Sequence, residues 1–432
     1  MTDKILLLPI VIPLSAGIFS LIVLNRFRLI GESAVLLASL FNFLVTILLF
    51  KNNLYFSLPW IGFGLEFSLR LYHFSAFILL AIAGLGFLIT LYSTVFMRDK
   101  PCLNQFYAYF MFTISLAGGA VLADNLAVML FFWEGMLLTL FGLIFIGNKT
   151  AFKTAAKAFI IVGITDLCMM LGVVLTGCLA GTLRMSQINL ALGGAGSAAF
   201  ILLMIGAISK AGSMPFHSWI PDAAIDAPLP FMALIPAAFE KLLGIYFLTR
   251  ISVDMFRLER DSWVSVLLMA IGAGTIILAV MMALIQKNFK RLLSYHAISQ
   301  VGYMILGIGT AVPAGIAGGL FHMVNNALYK SGLFLTAGAV EKQSGTTDLE
   351  ELGGIASKMP VTFICFIITA VSISGVPPFN GFFSKELVYD GALERGWIFY
   401  IIAVLGSFFT AASFLKLGHA VFLGKLSAEN KN

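Results

Sequence analysis

The chain has 432 residues, of which 60% are hydrophobic and only 11% charged, with a formal net charge of +6. A water-soluble domain carries about 25% charged residues, so lipid must solvate most of this exterior, and a soluble enzyme or soluble binding module is excluded. The basic residues stand singly in short loops rather than in a stripe, which argues against a nucleic-acid partner.

A bilayer core about 30 Å thick needs about 20 apolar residues per helix. Such runs recur at 5–24, 30–50, 71–97, 106–123, 125–147, 155–180, 196–220, 228–252, 263–286, 292–311, 313–340, 360–392 and 397–423. The pattern predicts an all-α integral membrane protein of about thirteen transmembrane helices. The first run, Ile5 to Leu24, is too long for a signal-peptide core and has no convincing cleavage site, so a retained helix is expected. Asn52 to Leu71, with Pro59, Trp60 and alternating apolar residues, predicts a short interfacial hairpin.

Alternate loops differ in basic residues. One set holds Arg26, Arg28, Arg98, Lys100, Lys149, Lys153, Lys157, Lys287, Lys290, Arg291, Lys342 and Lys358; the other is poorer, with Lys51, Arg70, Arg184, Arg250, Arg257, Arg260 and Arg395. The richer set should face the cytoplasm. That places the N-terminus outside and the C-terminus inside, with residues 424–432 as a cytoplasmic tail.

Two spans are interrupted. The seventh contains Ser209-Lys210-Ala211-Gly212-Ser213-Met214-Pro215, and the twelfth Ser374-Gly375-Val376-Pro377-Pro378-Phe379-Asn380-Gly381. Proline removes an amide donor and clashes with the carbonyl four residues back. In lipid the freed carbonyls need partners, so broken helices survive only beside protein or water. The breaks are an odd number of spans apart, which reverses direction across the membrane and predicts inverted-topology repeats. The expected organisation is three helices in 1–105, a first five-helix repeat in 106–252 and a second in 263–423.

Charged groups within spans are costly and mark ion pathways. Glu134 lies deep in the fifth span, and Lys210 immediately precedes the first break. Glu240 and Lys241 adjoin each other in the eighth span, about 100° apart on a helix, so they cannot simply pair. His322, Asn326 and Lys330 form an i, i+4, i+8 stripe on the eleventh, and Lys385 and Glu386 follow the second break. Burial lowers a lysine's proton affinity and a nearby carboxylate restores it, so a Glu–Lys pair of variable spacing acts as a proton switch. Histidine titrates near neutral pH. Asp166 is a candidate lysine partner. His296, His217, His419 and Lys416 are further candidates, each equally readable as a structural residue or as a side chain reaching the interface. The four cysteines, Cys102, Cys168, Cys178 and Cys365, have no metal or disulfide spacing. No cofactor or metal site is expected in this chain, and any redox centre should sit in another protein.

At these residues the sequence resembles the antiporter-like subunits shared by respiratory complex I, energy-converting membrane-bound hydrogenases and Mrp-type antiporters. The resemblance runs from about the third span to the thirteenth. It is carried by Phe132-Trp133-Glu134, Ser209-Lys210 through Pro215-Phe216-His217-Ser218-Trp219-Ile220-Pro221-Asp222-Ala223, Ser299-Gln300-Val301-Gly302-Tyr303, and Ala327-Leu328-Tyr329-Lys330. It extends to Asp348-Leu349-Glu350-Glu351-Leu352-Gly353-Gly354, Gly375-Val376-Pro377-Pro378, and Gly381-Phe382-Phe383-Ser384-Lys385-Glu386.

The resemblance implies that Glu134 modulates Lys210, the carrier of a first half-channel. It implies that Lys241 connects the halves, that His322 and Lys330 belong to a central hydrophilic axis, and that Lys385 ends the second half-channel. Two positions depart from the family pattern: Pro236 and Asn326 stand where many members have histidine. The chain also ends before the family's usual fourteenth helix.

The expected function is a proton-translocating subunit, itself without redox chemistry, in a redox-driven complex of the hydrogenase or complex I type. That complex would lie in a prokaryotic cytoplasmic membrane. Its partners would be other membrane subunits and a peripheral iron–sulfur arm, carrying iron–sulfur clusters and a nickel–iron or quinone site. The alternatives are a subunit of an Mrp-type cation/proton antiporter and a scaffold whose charges are relics. Buried lysine and histidine favour H⁺ over metal cations, which prefer oxygen ligands.

Overall fold

A computed structural model describes residues 3–24, 26–62 and 64–425. Most of the expected tail, residues 426–432, lies outside them. The protein is an all-α integral membrane protein with one β-hairpin. In chain order the helices are α1 (Leu8–Val23), α2 (Arg28–Leu49), α3 (His73–Phe96), α4 (Leu103–Leu122), α5 (Leu126–Phe145) and α6 (Ala151–Ala180). They continue with α7 (Ala195–Ala211), α8 (Ile220–Asp226), α9 (Leu229–Leu234), α10 (Glu240–Thr249), α11 (Trp263–Leu284) and α12 (Phe289–Gly309). The last are α13 (Pro313–Ser344), α14 (Pro360–Ser374), α15 (Asn380–Arg395) and α16 (Trp397–Gly418). The hairpin expected over 52–71 pairs β1 (Leu54–Pro59) with β2 (Glu66–Leu71) antiparallel, Leu54 opposite Leu71.

Among the described residues, nine helices are long and apolar enough to cross a membrane. The other four expected spans fall short for local reasons. The seventh and twelfth are cut at their breaks, leaving the shorter apolar helices α7 and α14. Helices α12 and α13 carry the polar residues His296, Gln300, His322, Asn325, Asn326 and Lys330, which lower their hydropathy although their lengths suffice.

Two compact units emerge. One comprises the described residues up to Ala207 with Asp226–Phe231 and Leu242–Arg257. The other comprises Ile208–Ile225, Met232–Lys241 and the described residues from Leu258 onward. Apolar burial drives helices together only weakly in lipid, so contacts rely on small residues and interhelical hydrogen bonds. In the first unit, Ser115 on α4 donates to the carbonyl of Ile10 on α1 at 2.6 Å. In the second, glycines bring α11 and α12 backbone to backbone: a Cβ on Gly302 would lie 2.7 Å from the Ile276 amide nitrogen. Helix α12 is buried along nearly its whole length, so its polar residues find protein partners rather than lipid.

Both breaks belong to the second unit and share one hydrogen-bond pattern. At the first, Gly212 is left-handed (φ +79°), its N–H bonds Ser209 O at 2.9 Å, and Ser213 N–H reaches back to Ile208 O at 3.0 Å. At the second, Gly375 is left-handed (φ +79°), its N–H bonds Ser372 O at 3.0 Å, and Val376 N–H reaches Val371 O at 3.2 Å. This is the glycine-capped helix end in which a six-residue loop satisfies orphan carbonyls. Cis bonds, Met214–Pro215 and Pro377–Pro378, follow the two caps.

Candidate functional site

The polar residues of the second unit are assembled from both broken segments, α10, α12 and α13. Lys210 occupies the last turn of α7 and is buried. Glu240 and Lys241 open α10 and are buried as well. They follow a π-helical turn, Ile235–Phe239, where Pro236 cannot donate to a carbonyl and the helix widens to accommodate its ring. Side chains of α13 meet that turn: Asn326 donates to Ala237 O at 3.3 Å and Ser331 to Ala233 O at 2.8 Å. The two departures from the family pattern therefore meet, Asn326 bonding the carbonyl next to Pro236.

Lys241 lies beside the first break. A Cβ on Gly212 would come within 3.2 Å of its ammonium. The Lys241 and Lys330 ammonium groups make no hydrogen bond to any described residue, and their charges lie close enough to interact. Lys330 also faces the ring of Phe414, 5.6 Å from its centroid. His296, which interacts with both Lys330 and Lys385, shares a hydrogen bond with Ser413 at 2.8 Å and packs on Phe414 at 4.8 Å.

Lys385 donates to Ile373 O at 2.8 Å, at the carbonyl end of α14. Such an end carries a partial negative charge that favours a cation. His322 is held on both ring nitrogens, Nδ1 with Ser384 at 3.0 Å and Nε2 with Gln300 at 3.1 Å and Tyr329 at 3.3 Å. Hydroxyl and amide partners can turn to serve either protonation state. The charge of Lys385 reaches His322 as well. The result is a buried, charge-coupled series: Lys241, Lys330, His296, Lys385 and His322. All five residues are at most 1% exposed, which no solvated surface cluster would be.

The remaining predicted residues lie elsewhere. Glu134 is half-buried on α5 in the first unit. Asp166 on α6 is buried and accepts from Trp133 Nε1 at 2.9 Å. Glu386 is exposed, on a different side of α15 from its buried neighbour Lys385, and stands outside the buried set. Lys416 caps α11, donating to Leu284 O at 2.9 Å and Gln286 O at 3.2 Å.

Arg250, counted above among loop charges, is instead buried, because its helix continues as a π turn to Met255. It lies 3.0 Å from Asp254 and 3.6 Å from Asp124. At the hairpin's edge, the hydrogen bond from Glu66 holds the Arg184 guanidinium above its ordinary pKa. Among the described residues no group of three or more His, Cys, Asp or Glu side chains is placed to hold a metal ion.

A family model described as NADH:quinone oxidoreductase/Mrp antiporter, TM, matches residues 123–410. One described as the N-terminus of complex I chain 5 matches 59–107. The chain is 30% identical over 455 residues to the A1 subunit of the Na(+)/H(+) antiporter of Staphylococcus haemolyticus, covering 97% of this chain and 56% of that protein. It is 32% identical over 409 residues to the counterpart of that protein in the Na(+)/H(+) antiporter of Alkalihalophilus pseudofirmus, covering 87% and 50%. The chain thus spans about half the length of the curated relatives it matches.

Among solved structures, a chain of the Mrp complex from Dietzia sp. aligns with TM-score 0.90 at 25% identity, over 99% of this chain and 82% of that one. The archaeal membrane-bound sulfane sulfur reductase gives 0.88 at 24%, over 99% and 72%. Complex I from Thermus thermophilus gives 0.87 at 22%, over 98% and 90%. The last two share the fold.

Proposed function

The chain belongs to the NADH:quinone oxidoreductase/Mrp antiporter transmembrane family, and from that premise we propose that it moves protons through its buried lysine–histidine series as one subunit of a multisubunit membrane complex. The observation that carries the reading is the coupling of Lys241, Lys330, His296, Lys385 and His322 within one buried core. Like charges held close in a medium of low dielectric repel strongly. Protonating Lys330 therefore disfavours a proton on Lys241 and on His296, so a proton entering the series displaces one further along. Lys210 feeds the series from the first break, Glu134 modulates that feed, and Lys385 hands the proton on at the second. Asn326, with no titratable proton, ties the turn at Pro236 in place rather than carrying charge. The two breaks, alike in hydrogen bonding and each beside a lysine, support the two-repeat reading, with basic loops facing the cytoplasm.

The driving reaction we propose is cation/proton antiport, because the relatives at 30% and 32% identity are named as Na(+)/H(+) antiporter subunits. The redox-driven reading, with iron–sulfur and nickel–iron or quinone-binding partners, has the fold likeness to respiratory complexes behind it. Gentle solubilisation, pull-down of this chain and identification of its partners separates them. Small membrane proteins alone support antiport; iron–sulfur subunits overturn it in favour of a redox pump.

A further inference from the structure

We propose that Tyr303 is a positioning residue for Lys385: the face of its ring holds the lysine's ammonium, and Ser407 fixes the ring in that attitude. The inference rests on the reading of Lys385 as a proton carrier. The Lys385 ammonium stands 4.9 Å from the Tyr303 ring centroid, within the roughly 6 Å over which a ring's negative face attracts a cation. Its hydrogen bond to Ile373 O accounts for one of three donors. On a further side lies Gly375, where a Cβ would sit 3.0 Å from Lys385 Cδ. The ammonium is thus enclosed by a carbonyl, an absent side chain and a π face, and it forms no ion pair with a carboxylate of any described residue.

The ring is anchored from its far end. The Tyr303 hydroxyl donates to Ala403 O at 2.8 Å and lies 3.0 Å from Ser407 Oγ. Tyr389, one turn beyond Lys385 on α15, donates to the same Ser407 oxygen. The protons of both phenols are therefore committed, and the Ser407 proton is left facing the Tyr303 oxygen. The hydroxyl chain runs from Tyr389 through Ser407 and Tyr303 to a backbone carbonyl. A carbonyl has no proton to pass on, so the chain ends there. It anchors rings and does not conduct. Gly406 leaves the room: a Cβ there would lie 2.8 Å from the Tyr303 hydroxyl.

The test replaces Tyr303 in the full chain, in everted vesicles of its native membrane, and reads the pH of half-maximal proton uptake. Titratable groups near Lys385 are Tyr303 and His296 on α12, His322 on α13, and Glu386 and Tyr389 on α15; α14 contributes a carbonyl and α16 hydroxyls. Phenylalanine at 303, then its mono-, di- and trifluorinated analogues, keep the ring's shape while draining its negative face. Because the ring favours protonated Lys385, weakening it lowers proton affinity. Tyr303→Phe should retain uptake, and the fluorinated series should move the half-maximal pH stepwise downward, in total by about three- to thirty-fold in proton concentration.

A flat fluorination series, with equal amounts of assembled protein, overturns the proposal. So does Tyr303→Phe being as inactive as Tyr303→Leu, which would make the hydroxyl the working group. Lys385→Gln separates the two failures. If that variant is inactive and the series is flat, the ring's role alone is wrong. If it transports like wild type, the reading of Lys385 is wrong, and the positioning role goes with it.

Discussion

Replacing Lys330 by methionine distinguishes a working ammonium from a structural one, because the two readings predict opposite signs for stability. A lysine at the centre of a bilayer costs about 2.5–3.5 kcal/mol on insertion scales. The Lys330 ammonium has no hydrogen bond to a described residue, and its contact with the Phe414 ring at 5.6 Å returns about 0.5–2 kcal/mol. Repulsion from Lys241 offsets part of that return. Methionine keeps an unbranched side chain of similar length without the charge. Lys330→Met should therefore leave the fold unchanged or more stable, by up to about 3 kcal/mol, while proton uptake falls to background. The assay pairs thermal unfolding of the purified chain, followed by tryptophan fluorescence, with dye-monitored uptake in vesicles matched for protein amount. A variant that melts earlier, with transport lost only in proportion to unfolded protein, would show that the lysine holds the structure together and would refute the reasoning.

Three further outcomes follow from the same geometry. Arg250→Met leaves Asp124 buried without its guanidinium, retaining Ser186 at 2.6 Å; the loss should be about 3–5 kcal/mol, and Asp124→Asn added to it should recover much of that in a double-mutant melting experiment. Asn326→Ala removes the long hydrogen bond to Ala237 O and should cost about 1 kcal/mol with uptake preserved. An inactive but fully assembled Asn326→Ala would assign the amide a place in the conducting path. Gly212→Ala forces a left-handed residue at a cost of about 1–2 kcal/mol and puts a methyl 3.2 Å from the Lys241 ammonium, so uptake should fall further than melting temperature; proportionate losses would deny Lys241 its seat at the break.

Much of this was legible in the sequence, for reasons that differ by element. Spans such as α3 and α11 announce themselves by length and hydropathy. The breaks at Gly212 and Gly375 were visible because glycine and proline have no other use in the middle of an apolar run. The His322–Lys330 stripe followed from helical spacing. Less could be read where partners come from distant segments. Ser407 and Ser413 sit three residues either side of Thr410 on α16, a spacing that marks one polar face, but nothing local says that Tyr303 and His296 are what they meet. Arg250 looked like a loop charge because a π turn extends its helix without a hydrophobic signature. The contact of Asn326 with the turn at Pro236 needed both ends of the structure, since each alone reads only as a missing histidine.

The central claim is that protons cross on the buried series, and the direct test is proton uptake by everted vesicles carrying wild-type chain or Lys241→Gln, at equal assembly, in a pH-sensitive dye assay. Lys241 is fully buried, stands beside the first break and interacts with Lys330, so its neutralisation should abolish the pH gradient while the complex still forms. A Lys241→Gln complex that builds the same gradient as wild type would contradict the account.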